Sequence, residues 1–93
     1  MIETSDMYLG AALLAYGADY KGVDKSNKSR QKFLFNDDLK ISSIFIYNAS
    51  SDRAESYSDP TFEEVCNFFD SFRLLYPSNY PQALKKLKTI IHK

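Results

Sequence analysis

Apolar residues recur at helical spacing near the N-terminus. Leu9 and Leu13 fall on one stripe of residues 7–16, a stretch rich in alanine and leucine. The polar residues 4–6 can accept hydrogen bonds from a first helical turn, and Gly17 suits a left-handed helix end. We therefore expect a first helix over residues 7–16.

Two more helices are predicted toward the C-terminus. Residues 59–64 contain Asp-Pro and Thr-x-x-Glu, which are two signals for a helix start. The apolar stripe that follows comprises Phe62, Val65, Cys66, Phe69 and Phe72. Residues 76–79 break this helix, and Ser78 or Asn79 is expected to cap a last helix with Pro81 in its first turn.

The middle of the chain has the composition and alternation of strands. Residues 20–25 and 30–36 predict two strands joined by a polar turn at 26–29. Residues 41–47 predict a third strand. By contrast, residues 48–59 are rich in Ser, Asp and Ala with little periodicity, so we expect a mobile loop there.

Both faces of the third predicted strand are apolar. Ile44 and Ile46 point to one face, whereas Phe45 and Tyr47 point to the other. Either helices cover both faces of the sheet, or one face remains available to a partner.

The predicted element order is α-β-β-β-α-α. It describes a single α+β domain over residues 1–93, in which one N-terminal and two C-terminal helices pack on a small three-stranded antiparallel sheet. The residues expected to be buried include Leu9, Leu13, Phe33, Phe35, Phe45, Val65, Phe69, Phe72, Leu84 and Leu87.

Composition narrows the class of protein. The 93 residues are 44% apolar and 15% aromatic, as is typical of a packed globule. A single cysteine excludes an internal disulfide, and the N-terminus shows neither the basic nor the apolar region of a secretory signal. The longest apolar run is far shorter than a membrane span. We therefore expect a cytoplasmic protein that has no membrane partner.

The net charge of the chain is zero, but residues of like charge are grouped into blocks along it. Residues 20–32 and 73–93 are basic, whereas residues 52–72 are acidic. A surface built from such blocks has local potentials of both signs, which can attract a charged partner.

The chain offers few groups for catalysis. Cys66 and His92 are its only thiol and imidazole, and they lie far apart in the sequence. The adjacent carboxylates at 37–38 and 63–64 point apart on a strand or a helix, so neither pair is a ready-made cation site. We expect a protein that is not an enzyme and has no cofactor, metal or small-molecule substrate.

Two binding functions fit the pattern. In the first, the chain recognises another protein or a second copy of itself through an apolar sheet face and the acidic residues Asp59, Glu63 and Glu64. In the alternative, it binds nucleic acid through the basic hairpin of residues 20–32 and the lysine-rich C-terminal helix. The candidate hairpin contacts are Lys21, Lys25, Lys28, Arg30 and Lys32. We favour protein recognition because a net charge of zero gives no long-range attraction to a polyanion.

Residues 3–9 read ETSDMYL and precede the alanine-rich residues 11–15. This segment resembles the ET-x-D-x-YLA opening of a family of small phage, prophage and bacterial proteins known as domain of unknown function 5659. Residues 33–36 and 80–88 resemble its Phe-rich strand end and its terminal aLk-Lk helix. Residues 37–60 are a long segment where that family passes more directly from strand to helix. The resemblance implies a phage or mobile-element origin, hence the host cytoplasm, and no catalytic residue.

Overall fold

The computed structural model describes residues 1–27 and 29–92. Within them the chain forms strands β1 (Ile2–Thr4), β2 (Tyr20–Asp24), β3 (Lys32–Phe35), β4 (Ser43–Asn48) and β5 (Arg53–Ser58), and helices α1 (Met7–Ala15), α2 (Phe62–Asp70) and α3 (Tyr80–Ile91). This is an α+β domain with antiparallel sheets, as predicted, but its order is β-α-β-β-β-β-α-α.

The first sheet has the strand order β1-β3-β2, and both pairings are antiparallel. Phe33 and Phe35 of β3 are buried on its inward face. On the outward face the Lys32 ammonium lies 3.0 Å from the Glu3 carboxylate. The third strand of this sheet is β1, so the prediction that residues 41–47 supply it is wrong. Strand β1 was not predicted because three residues are too few to show a period.

Strands β4 and β5 form a separate antiparallel sheet. Their register is continuous from Ser43 opposite Ser58 to Asn48 opposite Arg53. The prediction that residues 48–59 form a loop is therefore wrong. Strand β5 is exposed at every position except Tyr57, which is half-buried, so no hydrophobic alternation marks it in the sequence.

The predicted helix ends are largely confirmed. The Asp6 carboxylate caps α1 by accepting from the backbone N–H of Tyr8 at 2.9 Å, and Gly17 has a φ of 90° just beyond the helix. Thr61 and Glu64 form a reciprocal capping box on α2. Asn79 holds the N-cap position of α3, but its side chain makes no capping bond there and donates to the Ala15 carbonyl instead. The prediction of a side-chain cap is wrong because this tertiary bond uses the amide.

Helices α1 and α3 cover the inward face of the first sheet. They approach closely at Gly10, where an added Cβ would lie 3.3 Å from Leu87 Cδ1 and 3.4 Å from the Phe33 ring. Leu87 is 0% exposed and Phe33 is 2% exposed, so the centre of the core is tightly filled.

Most of the expected core is confirmed. The buried members are Leu9, Leu13, Phe33, Phe35, Val65 and Leu87. Phe69 and Leu84 are half-buried. Phe45 and Phe72 are exposed, so their assignment to the core is wrong. Phe72 lies beyond the end of α2 with a φ of 60°, where helical periodicity no longer applies.

Phe33 and Phe72 form a matched pair for testing this core. Phe33→Ala removes a buried ring and should lower the free energy of unfolding by roughly 3–5 kcal/mol. Phe72→Ala should change it by less than about 0.5 kcal/mol because the ring is already in water. Denaturant unfolding of both variants measures the difference, and equal losses would contradict the assignment of the core.

Candidate protein-interaction surface

Strand β4 is buried on one face and exposed on the other. Its inward residues Ile44 and Ile46 are 0% and 5% exposed. Its outward residues Phe45 and Tyr47 are 51% and 38% exposed. Side chains alternate between the two faces of a strand, so these aromatic rings cannot turn inward without a register shift. The sequence left open whether both faces of this strand are covered or one remains available. In the structure one face is exposed.

The residues beside the exposed rings are too small to cover them. Ser56 lies opposite Phe45, and Ala54 lies opposite Tyr47. Helix α2 packs on the other face of this sheet, where the Phe68 ring lies 5.1 Å from a tyrosine ring of β5. Both exposed rings of β4 therefore project from a surface of small side chains.

Phe72 is a third exposed aromatic residue near this sheet. It is 94% exposed and directly precedes Arg73. The Arg73 carbonyl accepts from the Tyr47 N–H at 2.7 Å, and the Arg73 Nε donates to the Tyr47 carbonyl at 3.0 Å. Phe72 thus lies at the margin of the same sheet. We name Phe45 and Tyr47 the aromatic face.

Strand β4 is hydrogen-bonded along both edges. Strand β5 occupies one edge, and residues 73–75 occupy the other. The Leu75 N–H donates to the Phe45 carbonyl at 2.9 Å, and the buried Leu74 lies opposite Ile46. The strand that carries the aromatic face is therefore held in place from both sides.

Tyr16 ties helix α1 to this sheet. Its hydroxyl donates to the Leu75 carbonyl and accepts from the Phe45 N–H at 3.1 Å. Burial raises the pKa of Tyr16, and the bond from Phe45 lowers it by a smaller amount. The hydroxyl therefore stays protonated at neutral pH, which it must do in order to donate.

A second tyrosine contact holds the exposed side of β4. The Tyr47 hydroxyl donates to the Asp52 carboxylate in the turn of the hairpin. This bond raises the pKa of Tyr47, because the neutral hydroxyl is the form that donates. The Tyr47 ring is thereby oriented on the aromatic face before any partner binds.

The outer edge of β5 carries unpaired backbone groups. The Asp59 N–H donates to the Ser42 carbonyl at 2.9 Å. Because the bonding direction alternates along an antiparallel strand, Ala54, Ser56 and Ser58 then direct their N–H and C=O groups away from β4. Among the described residues, no strand pairs with this edge.

The three predicted acidic contacts have different surroundings. Asp59 is exposed directly after β5, and Glu63 is exposed in the first turn of α2. Glu64 is half-buried, and its carboxylate accepts from the Thr61 N–H at 2.9 Å within the capping box. Asp59 and Glu63 remain candidates for a partner, whereas Glu64 is already used to begin a helix.

Most of the predicted nucleic-acid contacts already bind groups of this chain. The Lys21 ammonium lies 3.2 Å from the Asp19 carboxylate, and Lys32 is bound to Glu3 as described above. Lys25 Nζ donates to the carbonyl of Ile90 at 2.9 Å, at the C-terminal end of α3. Arg30 is exposed. Lys28 lies outside the described residues.

The groups considered for catalysis have different surroundings. Burial, together with the nearby Asp70 and Glu63 carboxylates, raises the pKa of the Cys66 thiol, which disfavours the reactive thiolate. The Asp37 carboxylate lies 2.8 Å from the N-terminal ammonium. Within residues 1–27 and 29–92, no three or more His, Cys, Asp and Glu side chains are placed to hold a metal ion.

Sequence reasoning identified Phe45 and Tyr47 but missed the residues that fix and flank them. Tyr16 was predicted to lie on a helix, and its bonds to Leu75 and Phe45 join residues far apart in sequence. The alternation of small residues at 54, 56 and 58 is a faint signal for an edge strand. The signal is faint because polarity does not alternate along these residues as size does.

Tyr16→Phe tests the link between α1 and the sheet. The substitution keeps the ring but leaves the Phe45 N–H and the Leu75 carbonyl without this partner, which should lower the free energy of unfolding by about 1–2 kcal/mol. Tyr80→Phe is the matched control, because the hydrogen bond from the Tyr80 hydroxyl to the Tyr8 carbonyl is longer, at 3.5 Å. Equal losses in the two variants would contradict the role of Tyr16.

The wild type and Tyr16→Phe should also differ in their pH dependence. Because the pKa of Tyr16 is raised in the folded chain, its contribution is complete below the unfolded pKa and is lost as pH rises through the folded pKa. The stability gap between wild type and Tyr16→Phe should therefore shrink above about pH 10. Thermal unfolding at several alkaline pH values measures this gap, and a gap that stays constant would contradict the shift.

Comparison with known proteins identifies no relative of this chain. A scan against protein-family models, a search of curated proteins and a search of solved structures all find no match to this chain. The resemblance to a phage and bacterial family therefore stays a prediction. In the described part of the chain, no helix combines the length and hydropathy that a membrane span requires.

Proposed function

We propose that this chain is a small non-enzymatic accessory protein that recognises another protein through its aromatic face. The observation that carries the proposal is the exposure of Phe45 and Tyr47 on a strand that is hydrogen-bonded along both edges. Aromatic side chains are enriched in the centres of protein interfaces, where they contribute large area at low cost in entropy. A phage or mobile-element origin, with action in the host cytoplasm, follows from the resemblance and is part of the proposal.

The charges around the aromatic face define the chemistry of the partner. Asp52 is an exposed acidic group in the adjoining turn, bound to the Tyr47 hydroxyl, whereas Glu55 lies opposite Ile46 and so points to the other face of the sheet. An acidic group beside an apolar centre favours a partner with an apolar centre and a basic group at its rim. A raised thiol pKa at Cys66 further supports a binding role over nucleophilic catalysis.

Site-specific photocrosslinking tests the proposal. The photoreactive residue benzoylphenylalanine replaces Phe45, or Tyr8 as a matched control, because Tyr8 is 57% exposed on a different element. In a bacterial host, position 45 should give discrete crosslinks to a protein whose contact surface is basic at its rim, and Tyr47→Ser should abolish them. Equal crosslinking from positions 45 and 8, or none from position 45, would contradict the proposal.

Nucleic-acid binding is the second candidate function. The observation that favours it is the meeting of the two basic blocks. Lys25 contacts the end of α3, and the Lys86 ammonium lies 6.0 Å from the centre of the Tyr20 ring. A phosphate-binding surface could therefore span β2 and α3.

Salt dependence separates this candidate from protein recognition. If the hairpin contacts phosphates, replacing Lys28 and Arg30 by Ala should reduce the salt slope of DNA affinity by about two, one for each phosphate that is no longer neutralised. Protein recognition predicts only weak DNA binding and no change in slope. Fluorescence anisotropy over a salt series decides between them.

A further inference from the structure

The outer edge of β5 has the features of a pairing site. The strand has six residues in a continuous register with β4, without a bulge, and it contains neither lysine nor proline, its charged residues being Arg53 and Glu55. Native edges that must stay unpaired are often blunted by a bulge, a lysine or a proline. We propose that β5 pairs antiparallel with β5 of a second copy of this chain, giving a two-fold symmetric dimer.

Backbone geometry defines how the two strands align. The outward groups belong to Ala54, Ser56 and Ser58, so these residues must form the bonded pairs across the junction. All three are used in each copy when Ser56 lies on the two-fold axis and Ala54 faces Ser58 of the second copy. This register uses every outward group of the strand.

Charge complementarity selects the same register. With Ser56 on the axis, Arg53 of each copy faces Asp59 of the other, which gives two opposite-charge pairs. Sliding the copies one way places Glu55 opposite Glu55, and sliding them the other way places Glu55 opposite Asp59. Both alternatives oppose like charges, which destabilises an antiparallel pair.

The dimer would join the two sheets into one. A two-fold axis perpendicular to the sheet relates the two antiparallel strands and keeps equivalent faces on the same side. The aromatic faces of both copies would then lie on one surface, separated by the small side chains of Ala54, Ser56 and Ser58. The pairing uses the edge of the sheet rather than its face, so it goes beyond the proposed function and leaves the aromatic face open to another protein.

Sedimentation equilibrium of the full chain tests the dimer. The wild type should reach twice its mass of 10.7 kDa. Ser56→Pro removes the outward N–H at the axis without removing a bond to β4, so this variant should stay monomeric with an unchanged circular dichroism spectrum. Ser56→Thr keeps the N–H and should dimerise like the wild type. A wild type that is monomeric at millimolar concentration, or a Ser56→Pro variant that dimerises normally, would overturn the proposal.

A charge swap tests the register in chains that keep the whole strand. Arg53→Glu should raise the dimer dissociation constant by roughly tenfold, because symmetry converts two attractive exposed pairs into two repulsive ones. Asp59→Lys should act similarly, and the double variant should restore the wild-type value. Asparagine tolerates the φ of 48° at position 59. Asp59→Asn therefore measures the loss of the attraction to Arg53 alone. Failure of the double variant to recover would overturn the register.

The outcomes for the edge and the face are separable. Crosslinks from position 45 to another protein, together with a monomeric wild type, would overturn the dimer and support the proposed function. A dimer that responds to the edge variants, without any crosslink from position 45, would support the dimer and overturn the proposed function.

Discussion

Hydrogen bonding along both edges of strand β4 is the constraint on which the candidate surface depends. The backbone groups of Phe45 and Tyr47 bind residues 73–75 and the Tyr16 hydroxyl, which leaves those of Ile44 and Ile46 for β5. A strand bonded on both sides cannot slip by one residue to exchange its buried and exposed faces. The aromatic rings are therefore exposed because the backbone directs them outward.

The fold turns the order of charges along the sequence into separate patches of charge. Lys25 contacts the end of α3, and Lys86 of α3 lies near Tyr20 of β2, so the two basic blocks meet. The acidic block includes β5 and α2, which contact each other through Tyr57 and Phe68. The molecule is 44 Å long. Charges in cellular salt are screened over about 8 Å. A partner therefore responds to the local patch, and a net charge of zero does not describe what it meets.

The helices and the β2–β3 hairpin could be predicted from the sequence because their signals are local. Asp6 and Thr61 cap helices within a few residues of themselves, and Phe33 and Phe35 alternate along one strand. Strand β5 could not be predicted, since its residues are exposed and depend on pairing with β4. Phe72 was misassigned because α2 ends at Asp70, and no sequence signal marks that end. The aromatic face could be predicted only as one of two outcomes, because the choice depends on which face α2 covers.

Residue-resolved amide hydrogen exchange in β5 tests the central claim most directly. The account predicts that the N–H groups of Glu55 and Tyr57, which bond to β4, are protected at every protein concentration. The N–H groups of Ala54, Ser56 and Ser58 should exchange rapidly in dilute solution and become protected as concentration rises. Rapid exchange at these three positions at all concentrations would contradict the account.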